Sequence, residues 1–191
     1  PIDIDTSDTT ECKLMCQLEH HFNPSKCRIK YTDNNRISLE YNAGSVTKLN
    51  GLFYNLREIS IHIPSLHTID NERFDMEIMM IHKTDQNSKE ATDNGVIVSR
   101  LFNRYGKDYG EEHEFINEFI HHIPKNPINY YKEVSISPDW SAKSLIPTNK
   151  TSFYLYNGSL PYPPCHENYT IILYEDVANI GDTNYELFKE N

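Results

Sequence analysis

Nowhere in the 191-residue chain is there a run of eighteen or more apolar residues, so no segment reads as a membrane-spanning helix. The opening stretch, PIDIDTSDTTE, lacks the apolar core of a secretory signal, and no leader is expected within this sequence. Basic residues are scarce: 18 Lys and Arg stand against 28 Asp and Glu, giving a formal charge of −10 and a pI near 5.3. A surface of that sign repels nucleic-acid backbones and anionic polysaccharides, glycosaminoglycans included. Lysines such as Lys143 stand alone, and the acidic residues read as a solvated face. Cys12, Cys16, Cys27 and Cys165 form no Cys-x-x-Cys pair, which excludes a zinc ribbon or a thioredoxin motif and leaves disulfides and buried thiols both open. Internal repeats, heptads and low-complexity tracts are also missing.

What is present is enough for one core. The chain is 38% hydrophobic and 12% aromatic, and residues 1–191 are expected to form a single domain. Short β-branched or aromatic runs such as CRIKY, RISLEY, REISIHI, RFDMEIMMIH and YTIILY alternate with Asn, Asp, Gly and Pro, so the fold is expected to be mostly β with minor α. One helix is expected from Glu111 to Ile123, where Phe115, Ile116, Phe119, Ile120 and Ile123 recur at three- and four-residue spacing before Pro124. His121 and His122 then fall in its last turn, and as helix neighbours they diverge by about 100°, which makes them a poor ligand pair. Residues 83–94 and 124–131 read as connections. Sequons at Asn149, Asn157 and Asn168 point to a glycosylating, oxidising compartment, and the expected location is secreted, cell-surface, lumenal or viral-surface.

Strand periodicity puts Ser60 and His62 on one face of a strand, and Glu77, Met79 and Ile81 on one face of another. A zinc site built on two such strands would need His at both positions of the first and a third on the second. These positions offer Ser, His and Met.

The segments IHIPSLHTIDNERFDMEIMMIH and LIPTNKTSFYLYNGSLPYPPC, together with PIDI, DNGVIVSRLF and YTIILYED, resemble in order the α-class carbonic anhydrases over nearly the whole chain. The resemblance implies a central, twisted, mostly antiparallel sheet with a few short surface helices and a metal site at the bottom of a conical cleft. The family's extreme N- and C-terminal segments have no counterpart in this sequence. Carried over residue by residue, the three zinc-histidine positions fall on Ser60, His62 and Met79, and the gate that orients zinc hydroxide falls on Leu66, Pro161 and Tyr162. The proton-shuttle position falls on Ser45. A hydroxyl, a thioether and a lone imidazole are not a zinc set, so no cofactor is expected. His67, Glu77, His82 and Tyr156 stand at supporting positions, and His67, Glu77 and Tyr156 are expected to share a buried hydrogen-bond network. His62 reads either as a satisfied core histidine or as a weak ligand. The resemblance to secreted members implies a Cys12–Cys165 bridge and leaves Cys16–Cys27 as the other expected pair.

Two functions follow from these readings. The first is a non-catalytic carbonic-anhydrase-like domain used in protein binding, in adhesion or as a structural subunit of an oligomer or filament. The alternative is zinc-dependent CO₂ hydration at a rebuilt metal site, in which His62 recruits another histidine.

Overall fold

A computed structural model describes residues 1–31, 37–41, 44–84, 94–106, 113–123, 131–134, 141–148 and 152–189. Outside these lie Asn149, the first two residues of the expected helix and most of both expected connections. Among the described residues no helix is long and apolar enough to cross a membrane.

The chain is mostly β, as its runs imply. In order, the strands are β1 (Asp3–Ile4), β2 (Leu18–His21), β3 (Cys27–Tyr31), β4 (Ile37–Tyr41), β5 (Val46–Leu49), β6 (Leu52–His62) and β7 (Thr68–Ile69). They continue with β8 (Glu72–Arg73), β9 (Met76–Lys83), β10 (Gly95–Tyr105), β11 (Tyr131–Val134), β12 (Phe153–Gly158), β13 (Tyr169–Tyr174) and β14 (Ala178–Gly181). The main sheet runs β11-β3-β4-β6-β9-β10-β13-β12. The hairpin β5–β6 carries β2 on its outer side, and β14 joins β10. Within the main sheet pairing is antiparallel except where β10 meets β13 and β14, and in a separate small sheet β1 runs parallel to β7. Asn50 and Gly51, at φ 51° and 84°, make the tight β5–β6 turn, the left-handed pair that matches strand twist in two-residue hairpins.

Both faces of the sheet are covered, which is why β9, MEIMMIHK, reads as a continuous apolar run: every residue but Lys83 is buried. On one face Ile59, Ile61, Ile78 and Met80 pack with Phe115, Ile116 and Phe119 of helix α1 (Glu114–Ile120). On the other, Met79, Ile81, Ile97, Tyr169 and Ile171 form a smaller cluster. A bulge between Leu56 and Glu58 resets β6, so that Ser60 stands opposite Met79 and His62 opposite Glu77.

Two expectations need correction, and one gains a position. Helix α1 stops at Ile120, and His121 and His122 sit in the turn beyond it, with the His122 N–H donating to the Phe119 carbonyl at 2.9 Å. A second helix, α2 (Asp182–Lys189), agrees with the few short helices that the resemblance implies but has no place in the sequence pattern; it is eight residues long and buries only Tyr185 and Phe188, too little to read as a period. The cysteine pairing differs as well. Cys12 bonds Cys16, their Cα atoms 6.2 Å apart and within bridging reach, so neither Cys12–Cys165 nor Cys16–Cys27 forms. Cys27 is a fully buried core residue of β3 whose thiol burial pushes up to about 12, and Cys165 is exposed.

Candidate functional site

Cross-strand register brings Ser60, His62 and Met79 together. The Ser60 hydroxyl lies 3.0 Å from His62 Nε2, with Ser60 fully buried and His62 half-buried. Met79 is 1% exposed and packs with Ile81, Ile97, Leu160 and the half-buried Leu66 and Tyr162. Beside them stands Glu58, two residues before Ser60 on the same face. Its carboxylate accepts from the Tyr162 hydroxyl at 2.9 Å and from the Ser38 hydroxyl at 2.8 Å. Glu58 and Ser38 were missed from sequence, although period two along β6 marks Glu58 as a neighbour of Ser60 and His62.

The chemistry of this set is that of a polar contact in an apolar wall. Ser60 offers a neutral hydroxyl already engaged with the one imidazole, and Met79 offers a buried thioether. Such donors do not fit a zinc ion, which takes imidazole, thiolate or carboxylate ligands. Among the described residues no three His, Cys, Asp or Glu side chains are grouped so as to hold a metal ion.

One register position away the picture reverses. Glu77, wholly buried, accepts from the main-chain N–H groups of Leu66 at 2.9 Å and His67 at 3.0 Å, and from His67 Nδ1 at 2.5 Å. The other ring nitrogen of His67 meets the Tyr156 hydroxyl at 2.7 Å. Burial raises the Glu77 carboxyl, but hydrogen bonds and charge from His67 outweigh it and hold the group below the usual carboxylate range. Burial, with the negative charge of Glu77, pushes the Tyr156 phenol up. The loop carrying Leu66 and His67 is thereby fixed against β9.

The remaining candidates are structural in their contacts. Ser45 is 1% exposed; its hydroxyl accepts from the Asn23 N–H at 2.9 Å and turns back to the Asn23 carbonyl at 3.2 Å. Pro161 is half-buried beside Tyr162, and Asn157 and Asn168 are exposed. A Cβ on Gly158 would come within 2.8 Å of Ile171, so the backbone before Ser159 must stay bare.

His82 points to the opposite face of β9. It shares the Thr47 hydroxyl with His20, at 2.9 and 2.8 Å, and the far nitrogen of His20 meets the Tyr174 hydroxyl at 2.8 Å. Burial lowers His82 to about 3 and His20 to about 4, each helped by a neighbouring histidine. Nearby, the largely buried Arg100 is held by Asp176 and the carbonyls of Ser144 and Leu145, and donates to His113 Nε2 at 3.2 Å. Burial and Arg100 bring His113 down to about 4.

A mostly antiparallel sheet carrying a buried Glu–His–Tyr brace defines the class, and the family model for eukaryotic-type carbonic anhydrases matches residues 1–191: the chain belongs to that family. Among curated relatives it is 23% identical over 191 residues to dioscorin DB3L of Dioscorea polystachya, covering 100% of this chain and 65% of that one. To alpha carbonic anhydrase 7 of Arabidopsis thaliana it is 26% identical over 192 residues, covering 99% and 64%. The chain thus spans no more than about two thirds of the length of these relatives. Of solved structures, the α-carbonic anhydrase of Thermovibrio ammonificans with the inhibitor sulfanilamide superposes at a TM-score of 0.83 and 19% identity, covering 100% of this chain and 76% of that one. Dioscorin complexed with ascorbate gives 0.82 and 20%, covering 100% and 74%. These likenesses establish the fold.

Proposed function

We propose that this chain is a carbonic-anhydrase-like domain that does not hydrate CO₂ and acts by binding a protein partner or by building a larger assembly outside the reducing cytosol. The observation that carries the reading is the Ser60–His62 hydrogen bond beside buried Met79, at the three positions where the family's motif order puts zinc ligands. Leu66 and Pro161 at the gate positions support it, because neither side chain can accept or donate a hydrogen bond to a metal-bound hydroxide. With no metal to lower the pKa of a bound water to about 7, hydration at neutral pH has no nucleophile.

The binding role is supported by the surface. Leu14, Met15, Leu52 and Phe53 are 86%, 67%, 64% and 59% exposed. Asn50 ties their two loops together, donating to the Met15 carbonyl at 2.8 Å and accepting from the Gln17 N–H at 3.0 Å. Apolar residues gathered in this way suit a contact with another protein. The Cys12–Cys16 bridge supports a secreted or lumenal location.

Stopped-flow CO₂ hydration on the purified chain, with zinc counted by mass spectrometry, tests the proposal. The expected result is the spontaneous rate and far less than one zinc per chain; accelerated hydration with one bound zinc would overturn it in favour of the rebuilt enzyme. Sedimentation of the parent against Leu14→Ser/Phe53→Ser tests the second half, with association expected in the parent and weakened in the variant. A parent that stays monomeric and captures no partner by cross-linking would overturn that half.

A further inference from the structure

Strand β2 lies at an edge of the sheet. Among the described residues its four positions pair with β5 alone, from Leu18 opposite Leu49 to His21 opposite Val46. One of its side chains, His20, reaches inward between β5 and β13. There it joins a chain of hydrogen bonds that crosses from β13 to β9: Tyr174, His20, Thr47, His82.

The direction of that chain is fixed by its far end. His82 Nδ1 faces two carbonyls, of Met80 at 3.0 Å and Val96 at 3.3 Å, so it carries the hydrogen. In a neutral ring Nε2 is then an acceptor, and the Thr47 hydroxyl donates to it. The Thr47 oxygen must therefore accept from His20 Nδ1–H, and His20 Nε2 must accept from the Tyr174 hydroxyl. With both rings neutral, no other assignment satisfies every contact.

Among the described residues neither ring is hydrogen-bonded to a carboxylate that would hold a positive charge. Phe22 stacks on His82 with centroids 5.8 Å apart and tilts against His20 at 5.5 Å. The charges acting on the two rings and on Tyr174 are basic: His21 on His20, His20 on His82, and Arg100 on Tyr174. The acids nearby are engaged elsewhere, Asp176 with Arg100, and Glu19, on the opposite face of β2, with Lys48 and His21.

We propose that the Tyr174–His20–Thr47–His82 chain is a clasp that holds β2 on the sheet at neutral pH and releases it in acid. A proton added to either ring turns its Nε2 from acceptor to donor and sets it against a hydroxyl hydrogen. Two rings within hydrogen-bond distance of the same threonine oxygen then repel one another. Releasing β2 returns His20 to water, where its charged form is at ease, and carries the Cys12–Cys16 loop away from the hairpin.

Hydrogen exchange read by NMR tests the clasp on the whole chain. At pH 7, ring ¹⁵N shifts should show both histidines neutral with hydrogen on Nδ1, the minor form in free solution. Between pH 7 and pH 4.5 the opening of β2, corrected for intrinsic exchange, should rise about fifty-fold, from the free value of 6.5 and the buried value of about 4 for His20. At every pH in that range β2 should open at a lower free energy than β9 and β10, whose amides exchange only when the whole fold opens. In His20→Gln the acid response of β2 should flatten, and Tyr174→Phe, which leaves both rings in place, should loosen β2 already at pH 7. Nε2–H rings at pH 7, an unchanged acid response in His20→Gln, or β2 amides opening at the same free energy as those of β9 and β10 at every pH would overturn the proposal.

Discussion

Glu77 and Met79 are two residues apart on the same face of β9, and their surroundings are opposite. Glu77 accepts three hydrogen bonds from the Leu66–His67 loop, while Met79 sits among Ile81, Ile97 and Leu160 with a serine across the strand pair. The difference teaches that the Glu77 brace and the Ser60–His62–Met79 centre are energetically separate. A buried carboxylate must be matched by donors whatever the cleft does, because leaving it unmatched costs several kcal/mol. A centre of Ser, His and Met makes no such demand: the thioether fills volume, and the Ser60 hydroxyl is engaged by His62. The scaffold can therefore persist on its own account.

Acid should produce the largest change, and it should strike away from Glu77. His20, His82 and His113 titrate near 4, 3 and 4 when folded and near 6.5 when unfolded, so the unfolded chain binds more protons as pH falls below 6.5. Stability is flat above that pH and drops by about 2 kcal/mol per ring between pH 6.5 and pH 5, which urea unfolding at three pH values measures. Glu77, held low, loses its contribution only as pH falls through and below the ordinary carboxylate range. Next in size is Glu77→Ala, expected to cost about 3 to 5 kcal/mol because it strands the donors of Leu66 and His67. Met79→Leu, at the contrasting position, should cost less than about 1.5 kcal/mol in the same unfolding experiment, since volume and polarity are kept. Smallest is Tyr162→Phe: it removes one of the two hydroxyls on Glu58 and should cost about 1 kcal/mol. Equal losses at Glu77 and Met79 would break the comparison.

Much of this arrangement was legible. Alternation along REISIHI and MEIMMIH gives the shared faces, and ordered short motifs over the chain carry the family and its sheet. Other parts depend on distances that a sequence does not display. Cys12–Cys16 forms because two Cα atoms come to 6.2 Å in a loop, whereas the resemblance pointed to partners far along the chain. Tyr162 finds Glu58 across 104 positions, and Tyr174 finds His20 across 154, with no periodic mark at either end. Helix α2 hides for a different reason: one buried pair, Tyr185 and Phe188, is all its pattern contains.

The central claim is that Ser60, His62 and Met79 do not make a zinc site, and calorimetric zinc titration of the whole chain beside a Ser60→His/Met79→His variant tests it most directly. The account predicts no stoichiometric binding in the parent and one equivalent in the variant, where three imidazoles would share the face. One tightly bound zinc in the parent, released by His62→Ala, would contradict it.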